Sequence, residues 1–458
     1  MTAKTRSRWT LGLTSLAFFM VALDALVVTT ALPAIGRDLH VGVSTLEWTV
    51  NAYGLTYAAG IVTAAGLGDH LGRRRVFAFG LALFTAASAA CALAPTAALL
   101  LAARAVQGIG AAAVMPLSLT ILTAAFPPER RGAVVGIWGA IGGLAVAGGP
   151  LIGGGITEGL DWHWIFWVNV PIGLAATALA RARLAETRGP AAPLDLAGMA
   201  LVTAGAAALV WGIVASAAAP GVAGGALLCA FVAWERRSAA PMIPLRLFAS
   251  RTFAAANATA FLMIATIMSS AFLIAQYFQL VLGDSPLQTG LRLLPWTAMP
   301  MLVAPLAGAL SDRIGPRPLM AAGMLLQAAG LAWFVAEASA TTAYGALVAP
   351  LMVAGVGISM AVPTTPAAAI GAVAPAEIGK ASGTNTTLQR FGGVFGVAVA
   401  TAVFSAHGHL GDPAGFVAGF RPALAVAAGL SLLGAAAAAA VAGRRRPLVV
   451  AAAPAPAR

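Results

Sequence analysis

Charge is what this 458-residue chain has least of: charged residues make up 9% of it, against about 25% in an ordinary soluble domain. That shortage excludes a water-soluble fold, because there are too few charges to cover a solvated surface. Cysteine is nearly absent as well. Cys91 and Cys229 both lie in apolar runs and read as small core residues, with neither a disulfide framework nor a metal set. There is no Walker-type phosphate loop, which argues against direct coupling to ATP. No cluster of His, Asp or Cys falls on one membrane face, as a polytopic membrane enzyme would need. His407 and His409 have no further ligands nearby, so no metal is expected there. The net charge of +12 sits in small groups of Arg between apolar runs rather than on one basic face, which excludes a nucleic-acid surface.

What is present is apolar sequence: 60% hydrophobic residues and a mean hydropathy of +0.89. Stretches of roughly 20 apolar residues, each enough to cross a bilayer's hydrocarbon core, recur from Trp9 to Ala442. The first, Leu11 to Ala31, follows Lys4, Arg6 and Arg8. It lacks a small-x-small cleavage site and contains Asp24, so it reads as an uncleaved span rather than a signal peptide. Fourteen spans are predicted, among them 133–157, 163–184 and 287–310. Arg groups follow the even-numbered spans (Arg73 to Arg75, Arg130 with Arg131, Arg181, Arg183 and Arg188, Arg444 to Arg446), which places both termini in the cytoplasm. Trp162, Trp164 and Trp167 read as an aromatic anchor at the opposite interface.

An internal repeat is visible. Gly68-Asp69-His70-Leu71-Gly72-Arg73-Arg74-Arg75 follows span two, and Gly308 to Arg317, containing Asp312 and Arg313, follows span ten. Paired turns of this kind indicate two related halves, a common plan in secondary transporters. On these residues the chain resembles the major facilitator superfamily over essentially its whole length. Gly308 to Arg317 matches that family's Gly-x-x-x-Asp-Arg-x-Gly-Arg-Arg signature except at Pro316. The first copy is looser, with Ala65 for the leading Gly and His70 for a basic residue. The resemblance implies a latch between helices made by Asp69 and Arg73, with Gly68, Gly72 and Arg74 around it and Asp312 and Arg313 as the second copy.

Leu101 to Gly110 is similar to the fourth-helix motif with a buried Arg. Ala145 to Gly154, with Gly149-Pro150 and Gly153-Gly154, is similar to the fifth-helix motif of antiporters. Asp24 to Pro33 and Trp162 to Gly173 (WHWIFWVNVPIG) resemble signatures of fourteen-helix drug:proton antiporters. Asp69 and Asp312 are 243 positions apart, room for eight spans. The implied fold is all-α and membrane-integral. A six-helix half over 1–188, two further helices over 189–251 and a second half over 252–446 would precede a cytoplasmic tail over 447–458.

Charges inside spans are costly and so point to function. Asp24 lies well inside span one. A carboxyl in apolar surroundings can exchange a proton under physiological conditions, as a proton-coupled carrier requires; a structural hydrogen-bonded acid is the alternative. Arg104, which keeps its proton, either modulates Asp24 across the cavity or ties helices together. Gln107 lies one turn on. Arg390 reads as a snorkelling helix-end residue, and Glu337 as a solvated outer-end acid. Pro150 is expected to kink span five, while Gly139, Gly143, Gly149 and Gly153 permit close contact there. Asn51, Tyr53, Tyr57, Asn257, Gln276 and Gln279, together with Gln107, are candidate cavity liners, and they suit helix packing equally well.

These residues lead to a proton-coupled exporter of lipophilic drugs or antibiotics, driven by the proton gradient without a bound cofactor. Asp24 would favour cationic compounds. A same-fold carrier of an amino acid, sugar or siderophore is the alternative, against which Gly149-Pro150 weighs.

Overall fold

The structure, a computed structural model, describes residues 3–189, 195–214, 217–238, 241, 243, 245–374 and 377–442. Arg444 to Arg446 and the tail 447–458 lie outside the described residues. In lipid a span must satisfy its own backbone groups, so long apolar runs become helices. All regular structure among the described residues is helical. The helices are α1 (Ala3–Asp38), α2 (Val43–Leu71), α3 (Arg73–Ala92), α4 (Ala97–Ala124), α5 (Pro128–Gly159), α6 (Trp164–Trp167), α7 (Asn169–Arg183), α8 (Leu196–Val214), α9 (Ala218–Glu235), α10 (Arg251–Leu280), α11 (Pro286–Thr297), α12 (Met299–Ile314), α13 (Pro316–Glu337), α14 (Tyr344–Gly371), α15 (Ile378–His407) and α16 (Pro413–Ala439). Among the described residues twelve helices are long and apolar enough to cross a membrane, or thirteen counting the bent α5.

Local chemistry sets many ends. Thr96, Ser250 and Asp412 accept from the first free backbone N–H groups of α4, α10 and α16, and Ser285 with Gln288 forms a capping box on α11. Two turns need glycine: Gly72 (φ 108°) between α2 and α3, and Gly315 (φ 86°) between α12 and α13. They are the paired turns of the sequence repeat.

Packing repeats too. In the first half α1 meets α5, α2 meets α4, and α3 meets both α4 and α7. In the second α10 meets α15, α12 meets α14, and α13 meets both α14 and α16. The halves join along two related seams, α2 against α15 and α5 against α11. Helix α8 pairs with α9 and lies over the α2–α15 seam through Ala206 and Val210. Trp9 at the start of α1 lies against Arg183 at the end of α7, and Ser7 donates to the Ala125 carbonyl past α4. Ala442, past α16, donates to Thr252 at the start of α10. In each half, then, the entry and exit helices share one end of the bundle, here the termini end.

Three predicted spans are present as single crossings with local irregularities, one of them the bend expected at Pro150. Span 163–184 holds as one crossing, Trp164–Arg183, with Val168 between α6 and α7 still in helical conformation. Span 287–310 holds as one crossing, Pro286–Ser311, interrupted only at Ala298 between Pro295 and Pro300. In α5 the segments Ile137–Ala145 and Gly148–Gly159 meet at 42°. That bend falls over the residue four before Pro150, whose carbonyl the proline ring displaces. Gly149 and Gly153 do meet neighbours, at Leu26 and at Val27 with Thr30, but a side chain at Gly139 or Gly143 would meet nothing. Cys91 is buried as expected, whereas Cys229 on α9 is exposed.

Candidate functional site

Asp24, the midpoint acid of α1, and Arg104 of α4 are among the most buried polar residues in the protein, at 2% and 1% exposure. They pair directly, Arg104 Nη1 donating to Asp24 Oδ2 at 2.6 Å. Gln107, one turn along α4, donates to Asp24 Oδ1 at 2.9 Å and accepts from Arg104 Nη1 at 2.7 Å. Asn169 donates to Oδ1 as well, at 3.2 Å. It stands at the first residue of α7 and is buried. Ser88 of α3 accepts from both Gln107 and Asn169 and donates to the Phe166 carbonyl. Arg104 Nε donates to the Thr49 carbonyl at 3.0 Å, and the guanidinium lies 4.3 Å from the Tyr53 ring centroid.

The surroundings of Asp24 are therefore not the apolar cavity expected. Three N–H donors converge on its carboxylate, and α1, α2, α3, α4 and α7 all contribute to the network. Nothing in the spacing of Asp24 and Arg104, 80 positions apart, indicates that they touch. Asn169 lies inside the WHWIFWVNVPIG segment and Ser88 in an apolar run; a polar residue within an apolar run was the available signal for both.

The candidate cavity liners make contacts of their own. Asn51 donates to Glu47, Asn257 accepts from Asn385, Gln276 bonds a carbonyl of its own helix, and Gln279 bonds the Thr30 carbonyl across the halves. All of them except Gln279 are buried. Arg390 is not at a helix end. It sits twelve residues into α15, its guanidinium 4.4 Å from the Tyr57 ring centroid. Glu337 is exposed and accepts from Trp333.

At the termini end, Arg73 Nε donates to Asp69 Oδ1 at 2.8 Å across Gly72. This pair spans only the α2–α3 turn. The grip on another element comes from Glu186, which accepts from the Arg74 backbone N–H at 2.9 Å and lies within 3.5 Å of the Arg74 guanidinium. Gly72 faces Glu186 directly, and Arg73 N–H donates to the Thr187 carbonyl. Glu186 thus joins the turn to the chain beyond α7. The side chain of Asp312 lies outside the described residues, and Arg313 is exposed. Glu186→Gln is expected to speed trypsin cleavage at Arg74 and Arg75 severalfold and leave thermal unfolding nearly unchanged, since a part-exposed pair contributes about 1 kcal/mol or less. Cleavage at the wild-type rate would show that Glu186 does not hold the turn.

At the opposite end, burial raises the Asp284 carboxyl above its usual range and Arg292 beside it pulls it back. Here the α5–α11 seam closes backbone to backbone. Gly154 lies against Pro286 and Leu287, and Gly290 against Pro150 and Leu151. Glu158 accepts from the Leu287 N–H nearby.

The description of the Major Facilitator Superfamily matches residues 14–301 and 256–457. The chain belongs to the Major Facilitator Superfamily. It is accordingly a multi-pass membrane transport protein and not an enzyme. Among its relatives, the tetracenomycin C resistance and export protein of Streptomyces glaucescens is 34% identical over 85% of this chain and 74% of that protein. The multidrug resistance protein Stp of Mycobacterium tuberculosis is 36% identical over 87% and 76%. Among solved structures, a bacterial homologue of the human lysosomal transporter Spinster, inward-facing and unoccupied, shares the fold with a TM-score of 0.69. It is 16% identical over 94% of this chain and 96% of that one.

Proposed function

We propose that this superfamily member is an exporter of small lipophilic drugs or antibiotics in the cell membrane. It would belong to the fourteen-helix drug:proton antiporter branch, have both termini in the cytoplasm and exchange inward protons for outward substrate by alternating access. Relatives of 34% and 36% identity that are named for drug resistance and export support the substrate class. The Arg-rich turns gathered at the termini end support the orientation. At the end opposite the termini the halves are in contact through the α5–α11 seam, at Gly154 against Pro286, and through α1 and α10, where Gln279 binds the Thr30 carbonyl. That is the arrangement of a carrier shut on its outer side.

The observation that carries proton coupling is the buried Asp24–Arg104 pair. A carboxylate accepts from all three donors around it, whereas a protonated carboxyl must itself donate. Gaining a proton therefore expels one donor and frees Arg104 from its counter-ion, so the network has two distinct arrangements. No bound cofactor is needed. A charge crossing 100 mV contributes about 2.3 kcal/mol, enough for a gradient on the order of fifty-fold.

Substrate charge reads differently from the sequence expectation. Arg104 already compensates Asp24, while Arg390 beside Tyr57 has no ion-pair partner among the described residues. The reading moves from cationic compounds to neutral or anionic ones. An apolar cleft of about 460 Å³ between α1 and α5, lined by Leu11, Leu16, Phe19, Ile137 and Ile141, suits a lipophilic compound arriving from the bilayer.

The test uses inverted vesicles energised to an acid interior, loaded with a pH-sensitive dye and given a panel of lipophilic compounds. Wild type is expected to release protons on substrate addition and Asp24→Asn to release none. Release that survives in Asp24→Asn would place coupling elsewhere.

A further inference from the structure

One buried acid plays no part in the Asp24 network. Glu47 lies on the second turn of α2 and has no exposed surface. Its Oε1 accepts from Asn51 Nδ2 at 2.7 Å, while Oε2 has no hydrogen-bond partner. Across the seam the buried Thr401 hydroxyl of α15 faces it, also without a completed hydrogen bond. The two helices run antiparallel in a constant register. Glu47 lies at Thr401, Gly54 at Val394 and Tyr57 at Arg390. Leu55, Ala206, Val210, Val394 and Ala398 form an apolar cluster over this seam. Glu47 therefore sits where the two halves meet, toward the end opposite the termini.

Among the described residues no cation compensates it. The ionisable groups on the packed elements are Lys4, Arg6, Arg8, Asp24, Arg37 and Asp38 on α1, Arg73 to Arg75 and Cys91 on α3, Arg104 on α4, and Lys380, Arg390 and His407 on α15. On α2 itself they are Tyr53, Tyr57, Asp69 and His70, and α8 carries none. Among the described residues none forms an ion pair with Glu47. An ionised carboxylate sealed there would be a buried charge without a partner, which is expensive. A protonated, neutral carboxyl carries no such cost, and its Oε2 can share a hydrogen bond with the Thr401 hydroxyl.

We propose that Glu47 is a proton-binding site that controls closure of the α2–α15 seam. The proton comes from water at the open outer face, sits on Oε2 while the seam is closed, and returns to that water when the halves part. The closed form holds one more proton than the open form, so acid favours closure and rising pH favours opening. The seam is tied to the coupling network, because Arg104 Nε binds the carbonyl of Thr49, two residues along α2. This inference rests on the alternating-access reading but not on Asp24 as the coupling acid.

The experiment measures the distance across the seam by double electron–electron resonance in the full-length protein in liposomes. Spin labels go on Gly42→Cys and Ala406→Cys, both exposed positions just beyond the seam, in a Cys229→Ser background. In wild type the closed-to-open ratio should fall with rising pH, by up to about tenfold per pH unit. Glu47→Gln, permanently neutral, should stay closed throughout. Thr401→Val, which removes the hydroxyl but leaves the carboxyl, should still titrate.

Gly154→Val, which obstructs closure at the other seam, serves as the open control. If the seam opens in Gly154→Val but ignores pH in wild type, or if Glu47→Gln titrates like wild type, the proposal falls alone. A single unchanged distance in wild type and Gly154→Val at every pH would overturn alternating access together with it.

Discussion

Arg104→Met is expected to destabilise the protein by about 3–5 kcal/mol, because it leaves the Asp24 charge buried without its partner. Methionine roughly fills the space but cannot donate to Asp24, Gln107 or the Thr49 carbonyl, all of which Arg104 engages at 2.6–3.0 Å. Adding Asn at Asp24 should recover most of the lost stability, since both charges then leave the interior together. Transport should stay absent in the double variant, because the group that exchanges the proton is gone. Thermal unfolding in detergent in a Cys229→Ser background, followed with a thiol-reactive fluorophore that reaches Cys91 only on unfolding, measures the first effect. Vesicle transport measures the second. Unfolding of Arg104→Met at the wild-type temperature would show that the pair does not hold α1 to α4.

The second large effect is expected from Gly154→Val, which should reduce transport severely while each half stays folded. A side chain at Gly154 would run into the backbone of Pro286 and Leu287, which belong to the other half. Backbone cannot turn aside as a rotamer can, so α5 and α11 must separate. Overpacking of this kind costs about 1–3 kcal/mol, enough to shift a two-state population by about 5- to 150-fold. The cost falls on the state in which the seam is shut, not on the packing of α1 with α5. Transport should drop within that range while the unfolding temperature moves little. Wild-type transport rates in Gly154→Val would mean that this contact is not part of the cycle.

Much of this protein is legible residue by residue. Membrane insertion is decided by transfer free energies summed over some twenty residues, so the helical class and the placing of most spans follow from local apolar runs. The Gly68 to Arg75 and Gly308 to Arg317 turns reveal the repeat because each turn needs glycine at a fixed place, as Gly72 and Gly315 confirm with positive φ. Asp24, Arg104 and Gln107 stand out because polar groups within apolar spans are rare and costly. Pro150 foretells a bend because the ring's clash is with its own helix.

What the sequence alone did not determine is which of these groups meet. Asp24 was expected in an apolar cavity and Arg390 at a helix end. One proves to be held by Arg104, Gln107 and Asn169, the other to lie deep in α15 over Tyr57. Glu47 sits at the edge of its hydropathy segment, where charge is ordinary, and Glu186 sits just past a helix end. Each gains its meaning from a neighbour more than a hundred positions away, Thr401 for one and Arg74 for the other. Hydropathy determines that a helix crosses the membrane but not how it is rotated about its axis. Those rotations, set by close helix contacts such as Gly154 against Pro286, decided which polar groups share a site.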